Sequence, residues 1–297
     1  MLDAYIAHLR SGGKGKSAKD AASQVKCHIA PELLAAKAAE IPVEAFVAAL
    51  GRVVAKGRGR TAGKLRSTLR AAYELAIRAR LDPTVPGELA SFGIALNPIA
   101  SIGSMAKFNR VRNRHLSAEE LGVFLRRLDA LSEGAQKDAP RLCLLLGGQR
   151  PMQLLRVAPG QVDLSAGTIT LLDTKGKRAQ PRVHVVPLVP DAAAILKRRL
   201  DSLAENEPLF STDGRRPMRV ETLDGVLSGV VDAMLAAQPP ELRERFQLRD
   251  LRRTSETMLA ALKVASDVRA QIQSHGLGGI QVRHYDRHSY ALEKNKR

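Results

Sequence analysis

The apolar positions of the chain follow two periods. In the stretch from Thr61 to Leu81, Leu65, Leu69, Tyr73 and Ile77 recur every fourth residue, with Ala72 and Ala76 beside them. That spacing gathers one apolar face on an α-helix. Helical spacing returns over 117–132, over 138–147, from about 151 (Met152, Leu155, Ala158) and over 248–262. Ser117 followed by Glu120 is the pattern of a capping box, which starts a helix by satisfying its orphan N–H groups. One window changes period. In GTITLLDTKGKRAQPRVHVVPLV (167–189) the β-branched runs Thr168 to Leu172 and Val183 to Val186 flank a polar turn with Gly176, which predicts strand, turn, strand. Pro187 belongs at a strand end or edge. Beyond 190 the pattern is helical again, interrupted at QPPELRERF (238–246). The fold class predicted is mainly α with a small antiparallel β-sheet, an α+β chain.

The breaks in this pattern divide the chain. LDPTVPGELASFGIALNPIASIG (81–103) is rich in proline and glycine, which ends the long basic helix and leads out of a first domain. KFNRVRNRHLSAEE (107–120) then carries Lys107, Arg110, Arg112 and Arg114 ahead of the next helix start. The expected organisation is a helical domain over 1–103, a basic linker over 104–115 and a larger, mostly helical domain with the small sheet over 116–297. No internal repeat is evident.

Composition sharpens the choice of partner. Aromatic residues make up 3% of the chain and Trp is absent, so the core must be built from Leu, Val, Ile and Ala. No run approaches the roughly 18 apolar residues of a spanning helix, and MLDAYIAHLR at the N-terminus lacks a signal-peptide pattern. A cytoplasmic protein without a membrane partner is expected. The formal net charge is +17, which points first to nucleic acid, because neutralising phosphates releases counterions. The first 115 residues hold 19 Lys and Arg against 8 Asp and Glu. Lys64, Arg66 and Arg70 lie off the apolar stripe of their helix, and with Arg110 and Arg112 of the linker they are candidate contacts to double-stranded DNA. A basic linker between two basic domains suits a protein that wraps a duplex. The two cysteines, Cys27 and Cys143, have no zinc spacing, and Cys143 in RLCLLLGG reads as a buried small hydrophobe.

Two motifs fail on their chemistry. SGGKGKS (11–17) lacks the glycine a phosphate loop requires, since position 10 is Arg. His284 and His288 in HYDRH stand at i and i+4, but Tyr285 occupies the place of the glutamate that a zinc protease needs. No metal and no cofactor are expected. What survives fits phosphodiester chemistry without a metal, which needs bidentate cations for the non-bridging oxygens, a general acid and a side-chain nucleophile. Arg150 follows a Gly-Gly break in LLLGGQRPMQLLRV. Lys175 and Lys177 sit at the hairpin tip in LDTKGKR. Arg249, Arg252 and Arg253 lie on the apolar helix of LRDLRRTSETMLAAL, and SHGLGGIQVRHYDRHSY supplies His275 and Tyr285. Arg253 is expected to face solvent or to pair with Glu256.

In this order and spacing the segments resemble the tyrosine recombinase (phage integrase) family, over about 116–290. The family pattern is Arg, hairpin Lys, His-x-x-Arg, His or Trp, then Tyr. Arg150 matches the first Arg, Lys175, 25 residues on, the hairpin Lys, Arg252 the second Arg, His275 the late His, and Tyr285, ten residues later, the nucleophile. The spacing favours Lys175 over Lys177, which is left as a DNA contact, and Tyr285 over Tyr290. The resemblance implies a catalytic domain preceded by a helical core-binding domain, the latter by layout and charge only. It implies strand exchange through a covalent 3′-phosphotyrosyl intermediate, for integration or excision of a mobile element. It also implies a monomer that assembles as a homo-tetramer on paired DNA sites, with an accessory DNA-bending protein as a candidate partner, in a bacterial or phage-derived, nucleoid-associated setting. The short tail after Tyr285 would pack on a neighbouring protomer. No counterpart of the family's extra arm-binding domain is recognised. There are two departures. Arg249 stands where the family has His, and it can donate to phosphate but cannot act as a base near neutral pH. Gln153 stands where an acid often follows the first Arg. A type IB topoisomerase and a non-catalytic DNA-binding protein keeping the fold are the competing readings.

Overall fold

The structure, a computed structural model, describes residues 1–110, 112–173 and 180–275. It divides into two compact units, Met1–Arg112 and Asn113–Arg297.

The first unit is helical: α1 (Leu2–Ser11), α2 (Gly15–His28), α3 (Pro31–Ala35), α4 (Val43–Ala55) and α5 (Gly59–Arg78). Its core forms on the predicted stripe of α5. Leu65, Leu69, Ala72, Tyr73 and Ala76 are buried, against Val25 of α2 and Phe46, Leu50 and Val53 of α4. Phe46 and Tyr73 meet edge-to-face with ring centroids 5.7 Å apart, a geometry aromatic quadrupoles prefer. The Tyr73 hydroxyl donates to the Ala38 carbonyl at 2.9 Å, so its burial leaves no orphan donor. The following chain folds back on α5 through 3₁₀ turns at Gly87–Phe92 and Ala106–Phe108. The second turn lies in the stretch expected to be linker. The ring of Phe108 lies where a Cβ on Gly59 would stand, 2.3 Å away, so glycine is required at the start of α5.

The second unit begins with a buried ion pair. Arg114, also expected in the linker, donates through both terminal nitrogens to Glu120 at 2.8 Å and through Nε and Nη2 to the carbonyl of Glu244. Glu120 closes the predicted capping box of α6 (Ala118–Asp129) with Ser117. Helices α7 (Ala135–Leu145) and α8 (Pro151–Leu154) follow. The helix expected from 151 is a single turn, and Ala158 is exposed and extended ahead of Pro159, because proline disfavours the helical region for the residue before it. The sheet is antiparallel in the order β1 (Val162–Asp163), β2 (Thr168–Asp173), β3 (Arg182–Pro187). Strands β2 and β3 are the predicted pair, Pro187 closes β3, and the two-residue β1 was not predicted. Helices α9 (Pro190–Asp201), α10 (Val220–Ala236), α11 (Leu248–Ala261) and α12 (Ser266–Ile272) complete the unit. Ile169 and Leu171 of β2 share one core with Leu142 and Cys143 of α7, Leu223 of α10 and Leu251 of α11. Burial pushes the Cys143 thiol up to about 12, an inert packing residue as expected. No helix among the described residues is long and apolar enough to cross a membrane.

Candidate active site

The site starts from the break that ends α7. Gly147 and Gly148 take left-handed backbone, φ 76° and 84°, and the N–H of Gly148 closes the helix on the Cys143 carbonyl at 2.8 Å. Glycine adopts that conformation without steric cost. Space demands it as well. A Cβ on Gly147 would stand 2.3 Å from Ile272 Cγ2, and one on Gly148 would stand 3.1 Å from the Cα of Arg252. The two glycines therefore let the end of α7 approach α11 and α12 closely. Gln149 follows and then Arg150, held extended by Pro151, which opens α8.

Helix α12 ends in a Schellman turn. His275 N–H bonds the Ala270 carbonyl at 2.9 Å and Ser274 N–H bonds the Gln271 carbonyl at 3.2 Å, with Ser274 left-handed at φ 49°. A serine in that conformation is strained, and its surroundings hold it. Its Oγ donates to Asp173 Oδ2 at 3.0 Å and its carbonyl accepts from Arg150 Nη2 at 3.3 Å.

Carbonyls in this turn orient both arginines. Arg150 donates to Ser274 O and, through Nη1, to Asp173 Oδ2 at 3.3 Å. Arg252 donates to Gln273 O and, through Nη1, to Gly148 O at 2.9 Å. The preceding carbonyl, Ile272, accepts from Gln149 Nε2 at 2.8 Å and faces His184 Nε2 at 3.0 Å. Each guanidinium keeps N–H groups beyond those used here, because arginine carries five in a fixed fork. Burial, with the charge of Arg150 next in effect, lowers Arg252 to about 10. It remains protonated near neutral pH. Two cations held together in a half-buried site can both donate to one oxyanion.

The sequence-predicted residues divide accordingly. Arg150 and Arg252 are brought together, and His275 is exposed immediately after the turn that both arginines grip. Arg249 shares none of these hydrogen bonds and lines a concavity with Pro151 and Asp224. It is exposed, donates to Gln247 Oε1 at 2.5 Å and carries a charge felt by Asp224 of α10. Arg253 does not pair with Glu256. It pairs with Asp250, one turn before it, while Glu256 accepts from Arg269. Gln153 is buried, and its Oε1 meets no donor. Lys175, Lys177 and Tyr285 lie outside the described residues, as do His284, His288 and Tyr290. Among the described residues no cluster of His, Cys, Asp or Glu could hold a metal ion.

Sequence reasoning missed Asp173, Ser274 and Gln273. A signal for Asp173 existed. It continues the inward set of Ile169 and Leu171 at period two, which predicts a buried carboxylate at the end of β2. No comparable signal marks Ser274, whose type does not announce a left-handed turn.

In the first unit, Lys64 lines a polar concavity of about 510 Å³ with Arg60, Ser67 and Thr68 of α5 and Ser17 and Gln24 of α2. Arg70 and Arg110 are exposed and Arg112 is half-buried. Arg66 lines the same concavity. It is half-buried and donates Nε and Nη2 to the Ile102 carbonyl, a contact inside its own unit.

No family model matches the chain, and no curated protein matches it. Solved structures do. A lambda integrase fragment (residues 75–356), crystallised as a dimer bound to a COC′ core site, is 20% identical with a TM-score of 0.69, covering 93% of this chain and 93% of that one. A lambda integrase tetramer bound to a Holliday junction is 19% identical with a TM-score of 0.66, covering 95% of this chain and 79% of that one. The Tn1549 transposon integrase (residues 82–397) in complex with a circular intermediate DNA is 16% identical with a TM-score of 0.69, covering 92% of this chain and 91% of that one. At these identities the likeness establishes the fold.

Proposed function

We propose that this chain, which has the tyrosine recombinase fold, is a site-specific DNA recombinase that cuts and rejoins DNA through a covalent 3′-phosphotyrosyl intermediate. The observation that carries the reading is the pairing of Arg150 with Arg252 over the turn that ends in His275. Two guanidinium forks oriented by backbone carbonyls suit the non-bridging oxygens of one phosphate. They are fixed before the substrate arrives, the condition under which charge stabilisation lowers a barrier most.

In this mechanism the Tyr285 hydroxyl attacks the scissile phosphorus. A tyrosine with the ordinary pKa near 10 is a weak nucleophile at neutral pH, and the field of the two arginines favours its phenolate. Charge that builds on the phosphorane-like transition state is taken by Arg150 and Arg252. Lys175 gives its proton to the departing 5′ oxygen, and the 3′ phosphate remains on Tyr285. A 5′ hydroxyl then attacks the phosphotyrosyl ester and releases the tyrosine. One ester replaces another at each step, so no nucleotide is hydrolysed. Arg249, exposed beside Gln247, serves as a phosphate-backbone contact and takes no proton. The Lys64 concavity, Arg70, Arg110 and Arg112 hold the duplex from the first unit, and Lys177 contacts DNA from the hairpin. Exchange between two duplexes requires four active sites, so a tetramer on paired sites is the working assembly. The context is integration or excision of a mobile element.

The test uses duplexes selected by the protein from a random-sequence pool, then nicked near the bound centre so that religation is blocked. Wild type is expected to form a covalent protein–DNA adduct. Tyr285→Phe is expected to abolish it while binding is retained. Binding without any adduct on the selected duplexes would overturn the recombinase reading in favour of a DNA-binding protein that keeps the fold. An adduct that survives Tyr285→Phe and disappears in Tyr290→Phe would reassign the nucleophile.

A further inference from the structure

We infer that Asp173 is a positioning residue for Arg150, and that its carboxylate, bridging Arg150 to Ser274, sets the geometry in which the first arginine meets the scissile phosphate. The inference rests on the recombinase reading above and adds to it a residue outside the family's pattern as matched here.

Four observations support it. Asp173 is 4% exposed, and a carboxylate so buried persists as an anion only where it is paired or hydrogen-bonded. Its Oδ2 accepts from Arg150 Nη1 at 3.3 Å and from Ser274 Oγ at 3.0 Å. One oxygen therefore joins two segments that lie 23 and 101 residues away in sequence. Its backbone is fixed, since Asp173 is the last residue of β2, paired in register with Arg182 of β3. Finally, the side chain nearest in sequence that could take this role cannot supply charge: Gln153 is a neutral amide whose buried Oε1 accepts nothing.

The consequence is geometric. Arginine's fork is planar and rigid, so fixing Nη1 on Asp173 and Nη2 on Ser274 O defines the plane of the whole guanidinium. The remaining N–H groups are then confined to that plane. The same carboxylate steadies the strained left-handed Ser274, so that His275 leaves the turn on a set course. Without the bridge, Arg150 keeps its charge and still attracts DNA but loses its aim. A misplacement of about 1 Å at a reacting centre costs on the order of 100-fold in rate.

Asp173→Asn keeps shape and removes the charge. Ser274→Ala removes the other arm of the bridge with the carboxylate intact, and serves if Asp173→Asn does not fold. Each is compared with wild type for affinity and for single-turnover adduct formation on the selected nicked duplex, and again on a duplex whose scissile phosphate is a neutral methylphosphonate. The expected result is DNA affinity within about twofold of wild type and adduct formation slower on the order of 100-fold on the phosphodiester. That defect should shrink several-fold on the methylphosphonate, where no anionic oxygen awaits Arg150. A general structural lesion would slow both substrates equally, and that outcome overturns the inference. So does adduct formation at the wild-type rate in both variants. Wild type forming no adduct at all overturns the recombinase reading itself, and with it this role for Asp173.

Discussion

Arg252 Nη1 donates to the carbonyl of Gly148 at 2.9 Å, and the same glycine leaves only 3.1 Å between its missing Cβ and the Cα of Arg252. Contact and clearance are two sides of one requirement. The carbonyl can orient the arginine only because nothing projects from the Cα beside it. Gly148→Ala must put a methyl against backbone of α11 and hold a left-handed φ. Strain of about 1 kcal/mol from the backbone and about 1–3 kcal/mol from overpacking are expected to add. Urea denaturation is predicted to show a loss of about 2–4 kcal/mol. Adduct formation at a temperature where the variant is folded is predicted to fall further than that loss explains, because Arg252 loses its acceptor. A stable variant with wild-type adduct formation would show that the Gly148 carbonyl does not orient the arginine.

The parts of this structure that were legible in sequence are those in which one local signal decides the outcome. The stripe Leu65, Leu69, Tyr73 is buried as its period requires, and Ser117 with Glu120 forms the capping box that its spacing announces. The Gly147–Gly148 break ahead of Arg150 was visible because glycine pairs punctuate helices. The misses are long-range or too short. The two residues of β1 carry no period. Arg66 read as a free cation because its acceptor, Ile102, lies 36 residues away. Asp173 was readable from strand alternation, yet its partners Arg150 and Ser274 were not, since their proximity is a product of tertiary packing.

Glu120 makes the stability of the second unit acid-sensitive. Burial pushes its carboxyl up, but hydrogen bonds from Arg114 and from the backbone N–H groups of Arg243 and Ser117 outweigh that and hold it at about 2. The folded value lies below the unfolded one, so the stabilisation is fully present above about pH 4.5 and is lost as pH falls toward 2. Glu120→Gln is predicted to cost on the order of 2–3 kcal/mol at pH 7, with Arg114 left buried beside a neutral amide. The difference from wild type should narrow steadily between pH 5 and pH 3, as thermal unfolding across that range will measure. A gap that stays constant to pH 3 would remove the ionised carboxylate from the account.

Lys64 and Arg66 stand two residues apart on α5 and should fail in different experiments. Both line one polar concavity, but Lys64 is exposed there, while Arg66 is half-buried, donates to the Ile102 carbonyl and so holds the chain after α5 against that helix. A phosphate contact releases about one counterion, so removing it lowers the slope of log affinity against log salt by roughly one. Lys64→Ala is predicted to lower that slope by about one on random-sequence duplex and to leave the melting temperature unchanged. Arg66→Ala is predicted to do the reverse, costing about 1–3 kcal/mol of stability through lost charged hydrogen bonds at nearly constant slope. Fluorescence anisotropy over a salt series, paired with thermal unfolding of each variant, separates the two. If Arg66→Ala changes the slope as Lys64→Ala does and leaves stability intact, its bond to Ile102 must give way to DNA, and Arg66 rejoins the phosphate-facing set that the sequence suggested.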